Sequence, residues 1–155
     1  MKGDARIIGK LNELLADELT AINQYMVQSE MCANWGYEDL HKSVEKRAID
    51  EMKHAEKLIG RTIFLEGLPV VGKLNEIHIG DSVPAQHAAD RDSEIGAIRA
   101  YNEAIRLSVE AGDNGTRELL ECILKDEEAH LDWLESQLDQ IEQMGIQNYL
   151  AEQVG

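Results

Sequence analysis

Two tetrapeptides constrain this chain more than anything else in it: Glu51-Met52-Lys53-His54 and Glu127-Glu128-Ala129-His130. Each is a Glu-x-x-His unit. On a helix, residues three apart lie about 60° apart around the axis, so the carboxylate and the imidazole point the same way and can grip one metal ion. A single copy is a weak signal, because Glu and His are common on helix surfaces. Here the second copy follows 76 positions after the first (127 − 51), and the interval recurs. Glu18-Leu19-Thr20-Ala21-Ile22-Asn23-Gln24-Tyr25 returns as Glu94-Ile95-Gly96-Ala97-Ile98-Arg99-Ala100-Tyr101, with Glu, Ala, Ile and Tyr in register. The chain therefore reads as two copies of a two-helix unit. Each offers one isolated Glu and, 33 positions later (51 − 18), a Glu-x-x-His. Four Glu and two His make the donor set of a dinuclear metal site.

With 155 residues, the chain is expected to form a single domain over 1–155, long enough for a proper core. Only two Pro, a sustained helical period and abundant Leu, Ala, Glu, Gln and Lys predict an all-α protein. The first helix is expected over about 4–35, with Asp4 as N-cap and Gly36 as the stop. Its inward stripe is Ile8, Leu11, Leu15, Glu18, Ile22, Tyr25 and Ser29. Glu18 on that stripe needs a partner, since a buried carboxylate costs several kcal/mol uncompensated. The second helix is expected over about 38–66, ended by Gly67-Leu68-Pro69. Val44, Ala48, Glu51, Ala55, Leu58, Thr62 and Leu65 face inward, with His54 beside them. A second apolar line, Ile49, Met52, Ile59 and Ile63, runs along another face. Met52 lies about 130° from the middle of the Glu51/His54 face, so this helix has two partners.

Residues 67–81 form a connection containing Pro69 and five apolar residues, Leu68, Val70, Val71, Leu74 and Ile77. A helix of about 29 residues is ~43 Å long and 15 extended residues reach ~50 Å, so this segment can cross the full length of a bundle. Its apolar content predicts that it packs against something. The third helix is expected over about 83–111, starting near Ser82 or Val83 with Pro84 in the first turn and stopping at Gly112. Glu94, Ile98, Tyr101, Ile105 and Ser108 mark its stripe. The fourth runs over about 114–144, with Leu120, Ile123, Glu127, His130, Leu134, Leu138 and Ile141 inward, and Gly145 closes it. A short fifth helix follows at about 146–153.

The charge balance is lopsided: Lys+Arg 15 against Asp+Glu 30 gives a net charge of −15, which repels nucleic acid and anionic lipid and attracts cations. No stretch is apolar enough over sufficient length to span a bilayer, and no signal-peptide pattern opens the sequence, so a cytoplasmic protein is expected. Cys32 and Cys122 have neither Cys-x-x-Cys spacing nor a disulfide framework, which fits a reducing compartment.

Four long antiparallel helices bring Glu18, Glu51, His54, Glu94, Glu127 and His130 to inward faces near mid-bundle. One Glu from each of two helices plus Glu-x-x-His from each of the other two is the arrangement of ferritin-like di-iron carboxylate bundles. Two divalent cations neutralise four carboxylates, whereas the empty site must take up protons or water. Mixed oxygen and nitrogen donors suit iron or manganese, and zinc can bind without redox chemistry. By pseudosymmetry, Glu51 and Glu127 are expected to bridge, with Glu18 and His54 on one metal and Glu94 and His130 on the other. Tyr25 and Tyr101 are either core residues with satisfied hydroxyls or donors to the ligand carboxylates. Asp50 and Asp126 either orient the imidazoles, attract incoming metal, or lie on a solvated face.

Longer motifs run through almost the whole chain: Leu14-Leu-Ala-Asp-Glu-Leu-Thr-Ala-Ile-Asn-Gln-Tyr25, Ile49-Asp-Glu-Met-Lys-His-Ala-Glu56, Phe64-Leu-Glu-Gly-Leu-Pro69, Asp126-Glu-Glu-Ala-His-Leu-Asp-Trp-Leu-Glu135 and Met144-Gly-Ile-Gln-Asn-Tyr-Leu150. In these the sequence resembles the bacterioferritins, the haem-containing branch of the ferritin superfamily. The resemblance implies a ferritin-like four-helix up-down bundle with one long crossover between the second and third helices. It also implies iron storage in a hollow 24-subunit homo-oligomer built of two-fold dimers. Fe(II) would be oxidised by dioxygen or peroxide at a di-iron ferroxidase centre in each subunit, and all six ligand positions of the family have their match. A b-type haem shared between two subunits is implied at Met52 as axial ligand, and an electron-donating ferredoxin is implied as a partner for iron release. One departure is Lys46, where some members carry a His that binds iron on the cavity wall together with the acid matching Asp50. A rubrerythrin-like peroxidase is disfavoured, because its Cys-x-x-Cys iron module has no counterpart. A shell subunit or haem module with an inactive or zinc-filled centre is the alternative from another class.

Overall fold

A computed structural model describes residues 1–155, and the chain is helical with no strand. Four long helices, α1 (Ala5–Asn34), α2 (Glu38–Phe64), α3 (Val83–Glu110) and α4 (Asn114–Met144), form the bundle, and α5 (Ile146–Ala151) closes one end. None is long and apolar enough to cross a membrane. Helix α1 pairs with α2 and α3 with α4, and contacts of α1 with α3 and of α2 with α4 join the two hairpins.

The helix starts are set by short acceptors on the preceding residue. Asp4 accepts from Arg6 N, Ser82 from Ala85 N and Asp113 from Thr116 N, each satisfying a backbone donor that the helix itself leaves unpaired. The ends use a left-handed residue with paired turn bonds: Tyr37 N donates to Cys32 O past Gly36, and Asp113 N to Ser108 O past Gly112. At the end of α2 the expectation needs correcting, because the helix stops at Phe64 and the left-handed residue is Glu66 (φ 61°), not Gly67. Gly67 N closes the turn onto Thr62 O at 2.9 Å. Gly67 is small for a different reason, as a Cβ there would come within 2.7 Å of the Ile8 side chain.

The main core joins Ile7, Leu11, Leu14 and Leu15 of α1 to Leu58 of α2, Tyr101 and Ala104 of α3, and Leu120 and Ile123 of α4. Ile7 and Leu14 replace Ile8 and Ile22 as the fully buried apolar positions of α1. Similarly, Ile98, Ile105, Leu138 and Ile141 are only half-buried. At the far end Cys32, Leu40, Val83 and Tyr149 form a second cluster. There Tyr149 of α5 donates its hydroxyl to Gln137 Oε1 (2.7 Å) and lies 3.0 Å from His87 Nε2. Cys32 is buried, Cys122 is exposed, and both are free thiols.

The crossover lies along α1 as an extended strap, held through its backbone by polar side chains spaced along one helix face. Asn12 Oδ1 accepts from Val70 N (2.8 Å), Thr20 Oγ1 from Asn75 N (2.8 Å), Gln24 Oε1 from His78 N (3.1 Å) and Gln28 Oε1 from Gly80 N (3.1 Å). Of its apolar side chains, Leu68 (80% exposed) and Val71 (59%) stand largely in the open, whereas Val70, Leu74 and Ile77 are partly covered. The crossover therefore packs along α1 as expected, through backbone bonds to polar side chains and partial cover of its apolar ones.

Candidate metal centre

Glu18 on α1, Glu51 and His54 on α2, Glu94 on α3, and Glu127 and His130 on α4 all project into the middle of the bundle, and all six are buried. They fall into two groups whose ligand atoms lie within 4.8 Å of one another: Glu18, Glu51, His54 and Glu127, and Glu51, Glu94, Glu127 and His130. Glu51 and Glu127 belong to both. The Nδ1 atoms of the two imidazoles face the carboxylates, His54 Nδ1 at 2.8 Å from Glu127 Oε1 and His130 Nδ1 at 3.0 Å from Glu51 Oε1.

The outer nitrogens are fixed from behind. His54 Nε2 meets Asp126 Oδ2 at 2.8 Å, and His130 Nε2 meets Asp50 Oδ2 at 3.1 Å, so each acid just ahead of one Glu-x-x-His orients the imidazole of the other. The tyrosines are crossed in the same way. Tyr25 OH donates to Glu94 Oε1 at 2.7 Å and Tyr101 OH to Glu18 Oε1 at 2.5 Å. All four residues thus hydrogen-bond to the inward Glu and His residues, although Asp126 also keeps a largely exposed side chain. Asp50 Oδ2 also receives Lys46 Nζ at 3.3 Å, so the acid that some family members use on the cavity wall here shares one oxygen between Lys46 and His130.

These contacts leave part of the cluster's hydrogen-bonding capacity unused, because several of the close ion-pair approaches lack hydrogen-bond geometry. Glu18 Oε2, Glu51 Oε1, Glu94 Oε2, Glu127 Oε1 and His130 Nδ1 are buried without a hydrogen-bond partner, an uncommon condition for polar atoms inside a protein. Burial, with the neighbouring Glu51 charge, pushes Glu18 well above the usual carboxylate range, and burial beside Glu18 does the same to Glu127. Glu51 is held well below that range despite its burial, because Glu18, His130 and His54 crowd its carboxylate and favour its charged form. Against the effect of burial, the carboxylates raise His54 to about 11 and His130 to about 10. Without metal, protons thus take the place of cations. Oxygen and imidazole donors with unpaired atoms aimed at one small space fit two divalent ions of the iron or manganese kind.

Four residues outside the recognised set support the centre. Arg47, which no sequence pattern marks out, is buried, with its guanidinium 4.6 Å from the Tyr25 ring centre and 5.3 Å from that of Trp133. Its Nη2 donates to Asp90 Oδ2 at 3.0 Å, and Asp90 Oδ1 accepts from Gln24 (2.8 Å) and Gln28 (2.7 Å). Asp90 lies one turn ahead of Glu94, and Gln24 and Gln28 also hold the crossover. Their regular spacing with Thr20 along α1 was the available signal. Met52, by contrast, points out of the bundle at 45% exposure beside Ile49 and Ile63, while Ile59 packs against the main core.

Comparison with known proteins places this geometry. The ferritin-like domain model matches residues 8–144. The chain is 40% identical over 152 residues to a bacterioferritin of Mycolicibacterium paratuberculosis, covering 98% of this chain and 96% of that one. The chain belongs to the bacterioferritin family. Bacterioferritins of Streptomyces coelicolor (40% over 151 residues, 97% and 90% covered) and Brucella melitensis (38% over 149 residues, 96% and 92% covered) are similar over the same span. The shared length takes in all five helices and the crossover, so the six inward residues lie within the span this chain shares with those relatives.

Proposed function

We propose that this chain is an iron-storage ferroxidase: it binds two Fe(II) per subunit, oxidises them, and passes Fe(III) to a mineral held in a hollow shell of 24 copies assembled from two-fold dimers. The observation that carries this reading is the pair of ligand groups sharing Glu51 and Glu127, with buried donor atoms left unpartnered between them. In it Glu51 and Glu127 bridge the two ions. Glu18 and His54 complete one set, and Glu94 and His130 the other.

The residues divide the work. The four carboxylates compensate the charge of two ferrous ions, and Tyr25, Tyr101, Asp50 and Asp126 keep the ligands in place so that little reorganisation accompanies the change in iron charge. Each Fe(II) gives up one electron. The pair reduces dioxygen to peroxide, or peroxide to water, with two protons consumed in either case. The higher charge of the product strengthens its attraction to every carboxylate, so the centre needs an acceptor for Fe(III), which the mineral provides.

The outward Met52, flanked by exposed Ile49 and Ile63, fits a thioether ligand on an apolar face that a two-fold partner covers. A haem held there by Met52 from each of two subunits would supply one-electron transfer for reductive iron release, with a ferredoxin as electron donor. The exposed apolar side chains of the crossover are likewise surface for neighbouring subunits. A cytoplasmic location accompanies this reading.

Anaerobic Fe(II) titration of the metal-free protein, followed by stopped-flow oxidation with dioxygen or peroxide, tests the function directly. A break at two Fe(II) per subunit and a fast oxidation phase are expected. Absence of both would leave a shell subunit with an inactive centre.

A further inference from the structure

Resting on the ferroxidase reading, we propose that Fe(II) reaches the centre through a cleft between α1 and α3, drawn in by Asp17, Glu76 and Asp92 and admitted by the missing side chain of Gly96. A cavity of about 260 Å³ opens there beneath residues 75 and 76 of the crossover. Its floor includes Glu18 and Glu94, whose Oε2 atoms are buried and unpartnered. Since water occupies roughly 30 Å³ per molecule in the liquid, the space admits an ion with several of its waters.

The lining has one sign. Asp17, Glu76 and Asp92 stand toward the outside of the buried carboxylates, and no Lys, Arg or His lines the cavity. A cleft of one charge between low-dielectric walls focuses the field and raises the arrival rate of a counter-ion. Asn75 fixes the crossover side of the opening, donating through its backbone N to Thr20 and through Nδ2 to Asp17 Oδ1 at 2.5 Å.

The opening depends on small residues. Ala21, Gly96 and Ala97 line it, and a Cβ built at Gly96 would meet nothing within 4 Å. Glycine inside a helix is unfavourable relative to alanine, and packing does not require it here. A second opening, on the α2 and α4 side, reaches His54 past Asp126, but Lys53 and Lys57 stand among its acids Asp50, Glu56 and Asp126, so its lining is of mixed charge and focuses a cation less.

The test uses the assembled, metal-free protein and Co(II), whose visible absorbance reports binding without redox chemistry. Gly96→Leu removes no ligand and places its side chain in open space. It should slow Co(II) association by about tenfold or more while the stoichiometry stays at two ions per subunit. The double variant Glu76→Gln/Asp92→Asn should slow association about tenfold at low ionic strength and flatten its salt dependence, the range expected for electrostatic steering. Lys57→Leu, on the other side, should bind Co(II) at the parent rate. Unchanged association in both the Gly96 variant and the double variant would overturn the route, and a changed rate in Lys57→Leu alone, faster through the lost charge or slower through the added bulk, would move it to the α2 and α4 side. Should Gly96→Leu lose an ion through distortion, the salt dependence of the double variant decides. Steered two-ion binding of Co(II) in a parent protein without fast Fe(II) oxidation would remove the ferroxidase reading and leave the route standing.

Discussion

Tyr25 donates its hydroxyl to Glu94 across the interface between the first and third helices, at 2.7 Å and wholly out of water. That bond fixes one oxygen of Glu94 and leaves the other facing the centre. Tyr25→Phe keeps the ring under the Arg47 guanidinium and removes only the donor. The expected result is a folded shell in which metal affinity or oxidation rate falls about 10–100-fold, the usual effect of losing such a support. Titration and stopped-flow traces that match the parent would make Tyr25 a packing residue only.

The two ligand groups overlap at Glu51 and Glu127 but not elsewhere. Replacing a shared carboxylate should therefore cost both ions, and replacing an unshared ligand should first cost one. Glu127→Ala is expected to abolish the titration break, whereas His54→Ala should leave one tight ion per subunit. Identical titrations for the two variants would refute the bridging assignment.

Arg47 and Asp90 form a buried ion pair between the second and third helices, 3.0 Å apart. Asp90→Ala leaves a guanidinium buried with no counter-charge. Removing one member of such a pair costs about 3–5 kcal/mol, which for a chain of this size lowers the thermal midpoint by roughly 10 °C. A melting curve within 2 °C of the parent, on the same order-of-magnitude scale, would mean that water reaches Arg47 in solution.

His87 carries the clearest pH dependence away from the metal ligands. Burial, with Arg47 nearby, lowers it from 6.5 to about 3, so it stays neutral in the fold, with Nε2 on Tyr149 and the Trp133 ring edge-on. The unfolded chain binds the proton that the folded chain refuses. The contribution is therefore full above pH 6.5 and is lost as pH falls toward 3, a matter of a few kcal/mol at most. Denaturant melts from pH 7 to pH 4 should show the advantage of the parent over His87→Phe shrinking with acid. A constant difference would show that His87 titrates normally.

Met52 can be separated from the metal centre by its direction. Met52→Ala should eliminate the thioether-ligated haem spectrum and leave the two-ion titration unchanged. Persistence of that spectrum would exclude Met52 as the axial ligand.

The inward clustering of the four Glu and two His was legible because two copies of one pattern stood in register, which chance spacing of Glu and His does not produce. Bundle topology followed from the same register and from a connection long enough to cross the bundle. Arg47, Asp90, Gln24 and Gln28 were not legible, since a polar residue on a helix reads as solvent-facing until something else is known to lie over it. For the two glutamines, that something is the backbone of the crossover, which carries no side-chain signature. The end of the second helix was misassigned between neighbours for a related reason. Gly67 is needed for contact with Ile8, and the backbone bend falls to Glu66 instead.

The strap along the first helix also works as a tape measure. Its fixed points advance from Asn12 to Thr20 while the strap runs from 70 to 75, and from Gln24 to Gln28 while it runs from 78 to 80. The helix rises about 12 Å over the first interval, against about 17 Å of available chain; over the last it rises about 6 Å, against about 7 Å. Slack is thus stored around Gly72, and the chain is taut near Gly80. Added residues around position 72 can loop outward with every anchor intact, whereas one residue removed between 78 and 80 must break an anchor, which makes the first stretch the natural place for length variation or a grafted peptide.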